Sequence, residues 1–224
     1  MSAPRAEDEL VLHHYWRSSS SWRVRWALAI KGVSYRSNAI DLLHGEQSRE
    51  EFRAHSPMGL VPSLMVSGRA LTESVAIIEW LEDSRAQPPL FPADPWLRAR
   101  TRQLVELVNS GTQPLQNLAV MKHLSNDPAA QRAWARHWVT RGLAAFEREL
   151  EVLDGEGVRG PHCLGAAITA ADLFLVPQVY NARRFELDLA PYPRLVAAER
   201  AALATEAAMA SHPDRFQPPP APPG

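Results

Sequence analysis

Leu10-Val-Leu-His-His-Tyr15 runs almost directly into Arg17-Ser-Ser-Ser-Ser-Trp-Arg-Val-Arg-Trp-Ala-Leu-Ala-Ile30, and this junction decides the fold. The first stretch suits a short buried strand. The second sets four serines ahead of a helical pattern in which Val24, Ala27 and Leu28 share one face. Working outward, Lys31-Gly32 ends the helix and residues 33–40 can form a second strand. A short helix fits residues 48–53, and residues 63–66 and 69–71 read as strands around a Ser67-Gly68 turn. Residues 75–81 form an amphipathic helix behind Thr72-Glu73-Ser74. The order β-α-β-α-β-β-α over residues 10–86 predicts an α/β domain with a mixed sheet.

Gln87-Pro-Pro-Leu-Phe-Pro-Ala-Asp-Pro95 carries four prolines, which forbid helix and sheet, so residues 87–95 read as a linker. Beyond it, residues 96–124, 129–153, 169–185 and 194–208 show helical spacing without a convincing strand, predicting an all-helical second domain over 96–212. Residues 1–9 read as a charged lead-in, and residues 213–224 as a proline-rich tail, disordered or extended.

The bulk numbers exclude several classes. With 46% hydrophobic and 22% charged residues in 224, the chain is an ordinary globular protein long enough for two small domains. A net charge of −1 gives no whole-molecule field for nucleic acid or an acidic membrane. Arg98, Arg100 and Arg102 are close in sequence but spaced by two, so they fan around a helix as a solvated surface. No secretory layout opens the chain and no apolar run approaches about 18 residues, so the expected address is the cytoplasm, with no membrane partner. The single cysteine, Cys163, excludes an internal disulfide, and His13 and His14 lack ligand-spaced partners, so no metal is expected. The tryptophans at 22, 26, 80, 96, 134 and 138 fit core or interface packing.

Three features carry chemistry. The first N–H groups of a helix lack partners and its dipole favours negative charge, so hydroxyls at Ser18–Ser21 can donate to an anion. A thiol bound there would have its pKa drawn below about 8.5. Taken alone, the run reads first as a helix cap, which serine performs well. In Leu60-Val-Pro-Ser-Leu64, proline at the mouth of a buried strand implies a cis bond or an interrupted strand. A cis bond would turn the Val61 N–H and C=O outward to pair with a peptide-like ligand; an ordinary loop proline is the plainer alternative. At Glu73-Ser74, a helix-start N–H and a hydroxyl suit a carboxylate while Glu73 suits an ammonium group, together an amino-acid head group. An acidic first turn is the alternative there. Thr169-Ala-Ala-Asp172 is a capping box with a structural role.

Taken in order, these segments resemble the zeta class of the glutathione transferase superfamily. Ser18-Ser-Ser-Ser-Trp-Arg-Val-Arg25 is similar to the class signature Ser-Ser-Cys-Ser-x-Arg-Val-Arg. Ser56-Pro-Met-Gly-Leu-Val-Pro62, Glu73-Ser-Val-Ala-Ile-Ile-Glu79, Thr112-Gln-Pro-Leu-Gln-Asn117, Ala171-Asp-Leu-Phe-Leu-Val-Pro-Gln178 and Asn181-Ala-Arg-Arg-Phe185 match other class segments, so the resemblance spans residues 10–212. It implies a thioredoxin-like N-terminal domain, a helical C-terminal domain, a homodimer and glutathione as cofactor. Carried over by position, Ser18 and Ser19 would stabilise the glutathione thiolate, with Ser20 beside them in place of the signature cysteine. Val61 would pair with the tripeptide backbone, Glu73 and Ser74 would hold its γ-glutamyl end, and Gln47 would bind near the glycyl end. Gln113 and Asn117, placed on the first long helix, would reach over the cofactor, in the same chain or from a dimer partner. Arg17 and Arg184 would meet a small dicarboxylate substrate.

The implied reaction is cis-trans isomerisation of maleylacetoacetate to fumarylacetoacetate in phenylalanine and tyrosine breakdown. Maleylpyruvate isomerisation is the alternative, as is transfer of glutathione to small halo-acids. Relatives acting on maleylpyruvate carry arginine after the Pro-x-x-Asn segment, whereas Leu118-Ala-Val-Met121 is apolar. A non-catalytic binding protein on the same fold would be free to lose Ser18, Ser19, Glu73 and Ser74, all of which are present.

Overall fold

The computed structural model describes residues 9–219. Strand β1 (Leu10–His14) leads to helix α1 (Ser19–Ile30) and strand β2 (Arg36–Ala39). A 3-10 turn (Glu46–Ser48) and a one-turn helix α2 (Glu50–Arg53) follow, then strands β3 (Ser63–Val66) and β4 (Arg69–Thr72) and helix α3 (Ser74–Ser84). The sheet order is β2-β1-β3-β4. β1 and β2 are parallel; β1 with β3 and β3 with β4 are antiparallel, which places Leu12 opposite Leu64 and Leu64 opposite Leu71. The expected α/β order is therefore present, with β2 shorter than anticipated. Gly32 takes a left-handed conformation and the Val33 N–H returns to Leu28 O (2.9 Å), so the end of α1 absorbs residues expected to begin the strand.

α1 is buried continuously from Ser21 to Leu28, not along one stripe. It packs against both α3 and the last helix of the chain, α9 below, so its polar residues must find partners inside. At its end, Lys31 Nζ meets Glu82 Oε2 at 2.6 Å and donates to Pro88 O at 2.7 Å, an interior ion pair that ties α1 to α3. Trp22, Trp26, Leu12, Leu64, Ile77, Ile78 and Leu81 fill the core around it.

The second unit spans Pro89–Thr205. Its helices are α4 (Pro95–Asn109), α5 (Leu118–Leu124), α6 (Pro128–Gly155), α7 (Ala170–Arg184) and α8 (Pro193–Leu203), with a 3-10 turn at Gln113–Gln116. Asp94 and Asp127 cap α4 and α6, each followed by a proline at the first helical position. α7 runs through the centre, buried from Ala170 to Val179. Its capping box forms as expected: Asp172 accepts from Thr169 N (2.9 Å), Thr169 Oγ1 (3.1 Å) and Cys163 N (3.0 Å). Arg100 is a correction to the solvated reading of its neighbourhood, since it is buried on α4 and pairs with Glu149 of α6 at 2.9 Å. Trp96, read as core or interface, is outside the core and 61% exposed.

Two boundaries also differ. The helix expected over 96–124 breaks after Asn109, where Gly111 and Pro114 interrupt the ladder and Thr112 Oγ1 turns back to Leu107 O (2.7 Å). The chain end does not complete the helical domain. Helix α9 (Glu206–Ser211) and a 3-10 turn (Pro213–Phe216) belong by contact to the unit formed by the described residues up to Pro88. Residues 213–216 are thus structured where a tail was expected, because Pro213 is buried, the Phe216 ring packs on the Arg25 guanidinium and His14, and the His212 Nδ1 accepts from Asp214 N at 3.3 Å. Residues 1–8 and 220–224, the rest of the predicted lead-in and tail, lie outside the described residues.

Candidate active site

Ser18 is the N-cap of α1, and its Oγ accepts from Ser21 N at 3.2 Å. A hydroxyl that accepts one such bond keeps its proton, so capping and donation to an anion are compatible uses of one side chain. Ser19 is buried at the first helical position and Ser20 is half-buried behind it. Ser21 is wholly buried and its Oγ accepts from Tyr15 N at 3.4 Å, closing the loop onto the helix. Arg17 lies half-buried with its guanidinium 5.3 Å from the Trp16 ring centroid.

The same unit holds four further candidates. The Val61–Pro62 bond is cis, and neither backbone group of Val61 hydrogen-bonds among the described residues. Glu73 is exposed, at φ +68° immediately before α3, a conformation costly for a non-glycine residue and retained where surroundings impose it. Ser74 is buried at the start of α3, and its Oγ accepts from Arg23 Nη1 at 3.3 Å. With an acceptor position filled by a guanidinium, the Ser74 hydroxyl is left to donate. Gln47 sits in the 3-10 turn, its Nε2 on Leu42 O (3.5 Å) and its Oε1 buried without a partner. An unpaired strand-like backbone and a hydroxyl at a helix start suit a peptide-like ligand with a carboxylate, and the orphaned amide oxygen suits one of its N–H groups.

In the helical unit, Gln113 and Asn117 lie on the turn after α4, not on the long helix. That turn is pinned from three directions. Thr112 packs into a notch at Gly142 of α6, where an added Cβ would lie 2.1 Å from Thr112 Oγ1. Trp134 Nε1 donates to Leu115 O at 2.7 Å, and Gln116 Nε2 donates to Gln178 Oε1 of α7 at 2.7 Å. The Gln113 and Asn117 side chains make no hydrogen bond among the described residues, while their neighbours hold the turn. Arg184 is exposed at the end of α7, its Nη1 on Asn181 Oδ1 at 3.2 Å.

The family model for the glutathione S-transferase N-terminal domain matches residues 17–84, and that for the C-terminal domain matches residues 136–199. The chain is 44% identical over 207 residues to maleylacetoacetate isomerase of Rattus norvegicus, covering 92% of this chain and 93% of the relative. A crystal structure of maleylacetoacetate isomerase from Anaeromyxobacter dehalogenans 2CP-1, with bound dicarboxyethyl glutathione and citrate in the active site, superposes with a TM-score of 0.83. It is 49% identical, with 97% of this chain and 96% of that one covered. A holo structure of maleyl pyruvate isomerase, a bacterial zeta-class glutathione S-transferase, gives a TM-score of 0.87 at 38% identity, over 91% and 96% of the two chains.

The chain belongs to the zeta class of glutathione transferases.

In this zeta-class chain, sequence reasoning assigned no role to several groups packed behind the candidates. Arg23 and Arg25 of the signature are buried, as is His14. His14 Nδ1 faces Arg25 Nη1 at 3.2 Å and its Nε2 lies 2.7 Å from Ser37 Oγ. Burial, then Arg25 and His13, push the His14 pKa down to about 3, so the ring is neutral. Its Nδ1 must then accept from the guanidinium, which leaves Nε2–H to donate to Ser37. Burial draws Arg25 down to about 10, still cationic at neutral pH. Two arginines two residues apart on a helix normally signal a wet face, so nothing in the spacing announced their burial. Cys163 is buried, and burial with Asp172 pushes its thiol well up, which leaves it inert.

Proposed function

We propose that this zeta-class enzyme isomerises maleylacetoacetate to fumarylacetoacetate, with glutathione as the cofactor. The observation that carries the reading is likeness to maleylacetoacetate isomerases over nearly the whole chain. The residues of the first unit fit the cofactor chemically, as set out above for Val61, Ser74 and Gln47. When bound, glutathione supplies a thiolate that adds to the cis double bond and leaves after rotation, so it is not consumed.

The chain's own groups do the rest. Ser18 and Ser19 donate hydroxyl hydrogens toward the sulfur at the positive end of α1, favouring the ionised thiol, with Ser20 beside them. Val61 holds the tripeptide backbone, Glu73 and Ser74 its γ-glutamyl head group, and Gln47 its glycyl end. Gln113 and Asn117 supply further amide contacts to the cofactor. Arg17 and Arg184 are the cations assigned to the two substrate carboxylates, whose geometry suits guanidinium. Stabilising the enolate that develops during addition is where such cations would raise the rate most.

The reading carries with it a cytoplasmic homodimer acting in phenylalanine and tyrosine breakdown, as the resemblance implies. Among the described residues no helix is long and apolar enough to cross a membrane. Maleylpyruvate isomerisation is the second reading, favoured by the likeness to maleyl pyruvate isomerase. Against it, α5 presents apolar Leu118 and Val120 to the surface where the alternative calls for arginine. The test is a comparison of kcat/KM on maleylacetone, maleylpyruvate and a chlorinated acetic acid, with the products identified. Preference for maleylacetone supports the assignment; preference for maleylpyruvate replaces the substrate, and stoichiometric loss of glutathione to the halo-acid with no isomerisation replaces the reaction.

A further inference from the structure

The Arg-Val-Arg stretch lies in the class signature, yet Arg25 is used by nothing above. This side chain is 1% exposed, and its guanidinium gathers two distant pieces of chain. Nη1 donates to Tyr15 O (3.3 Å) and Nη2 to Trp16 O (2.9 Å), the residues just ahead of Arg17 and Ser18. Nε donates to Ser211 O (3.2 Å) at the end of α9. The Phe216 ring covers the guanidinium with its centroid 4.5 Å away, and His14 meets the same ring edge-on at 5.3 Å. Trp22 adds a second tie, donating from Nε1 to Ser211 Oγ at 3.2 Å and packing edge-on to His212 at 5.0 Å.

We propose that Arg25 is a positioning residue that locks the 15–17 loop to the C-terminal segment 211–216, so that the far end of the chain sets how well Ser18 and Ser19 activate a thiol. The inference rests on the thiolate reading of those serines. Physically, a planar fork of five donors serves three carbonyls and an imidazole nitrogen at once, which no other side chain does. Two of the three carbonyls, those of Tyr15 and Trp16, belong to the residues whose backbone sets where the serine cap begins. The Ser18 N–H itself donates to Tyr15 O (3.1 Å), so the loop carbonyl is gripped by Arg25 on one lone pair and by the cap residue on the other. Phe216 and Ser211 in turn hold the guanidinium in place. A loosened loop would leave glutathione able to bind through Val61, Glu73 and Ser74, but with its sulfur less well met.

Phe216→Ala is the main test, because it touches no residue assigned to glutathione or substrate, with Arg25→Lys beside it. Val66→Ala, buried in strand β3 between Leu10 and Arg69 and not among the groups that meet Arg25 or Ser211, controls for loss of stability. Two readouts are taken on the full chain: hydrogen exchange at amides 15–19, and the pH titration of bound glutathione by thiolate absorbance. The proposal predicts that Phe216→Ala speeds exchange at Ser18 about tenfold and raises the bound thiol pKa by about half a unit or more, while Val66→Ala does neither. Isomerase kcat should fall with the thiolate fraction while KM for glutathione stays within about twofold. Unchanged exchange overturns the clamp, whatever the chemistry of the site. Faster exchange with an unchanged thiol pKa also overturns it, leaving Arg25 a purely structural residue. A parent protein that never lowers the thiol pKa contradicts the thiolate reading instead, and the exchange data then judge the lock alone.

Discussion

The serine loop of the first unit and the 112–117 turn of the second solve one problem in different ways. Each is a short irregular segment whose candidate ligand groups must stay able to meet a ligand while the backbone stays fixed. The serine loop is held by a buried cation, Arg25, reaching two carbonyls. The 112–117 turn is held without charge, by an amide pair, an indole N–H and a steric notch. A charged clamp suits a segment that must favour an anion, whereas a neutral clamp only orients amides. The difference predicts that the first segment is sensitive to charge and pH, and the second to shape.

The largest expected effect is on the ligand side of the serine loop. Ser18→Ala and Ser19→Ala should each lower glutathione-dependent turnover about tenfold to a hundredfold, the worth of a hydrogen bond to a charged group. Stability should fall by no more than about 1 kcal/mol, the cost of losing a cap, as read by denaturant melts. Unchanged turnover in both would remove the thiolate assignment.

Shape is probed next. Gly142→Ala would ordinarily stabilise a helix interior by about 0.5–1 kcal/mol. Here the new Cβ meets Thr112, so a destabilisation of about 1–3 kcal/mol is expected, and the sign of the change decides the matter. Gln178→Leu removes the partner of a buried Gln116 amide and should cost about 1–3 kcal/mol. The glutathione KM should rise with it if the turn presents Gln113 and Asn117; a purely thermal effect would separate the turn from the site.

pH separates the two clamps. The folded His14 pKa of about 3 lies below the ordinary 6.5, so the unfolded chain binds a proton that the folded one refuses. Stability is therefore full above about pH 6.5 and is lost as pH falls toward 3, by up to about 1.4 kcal/mol per unit. Denaturant midpoints at pH 8 and 5.5 should show the fall, and His14→Gln should flatten it. An equal slope in both proteins would mean that other groups dominate.

The smallest expected effect concerns Arg184, which is exposed and tied to Asn181. Arg184→Ala should raise KM for a diacid severalfold, and for a neutral substrate hardly at all. Equal effects would argue against it as an anchor.

Much of this was legible in the sequence because local rules agree with the fold. The strand-like runs, the Ser67-Gly68 turn and the proline-rich stretch placed the elements of the first unit and its end, and the Thr169–Asp172 spacing announced the capping box of α7 in the second. What was not legible depends on partners far away in sequence. Helical spacing marked Val24, Ala27 and Leu28 as the buried face of α1, but α9 returns nearly two hundred residues later and buries the polar faces as well. The same return turned an expected tail into part of the first unit. Arg100 read as solvated because Glu149 could not be foreseen, and the break after Asn109 was lost because helical periodicity continues across Gly111 and Pro114.

The most direct measurement is turnover of maleylacetone with glutathione far below the substrate concentration, counting free thiol throughout. The account predicts many cis-to-trans conversions per glutathione, no net loss of thiol, and no turnover without it. Turnover that stops at one product per glutathione, or that proceeds equally well in its absence, would contradict it.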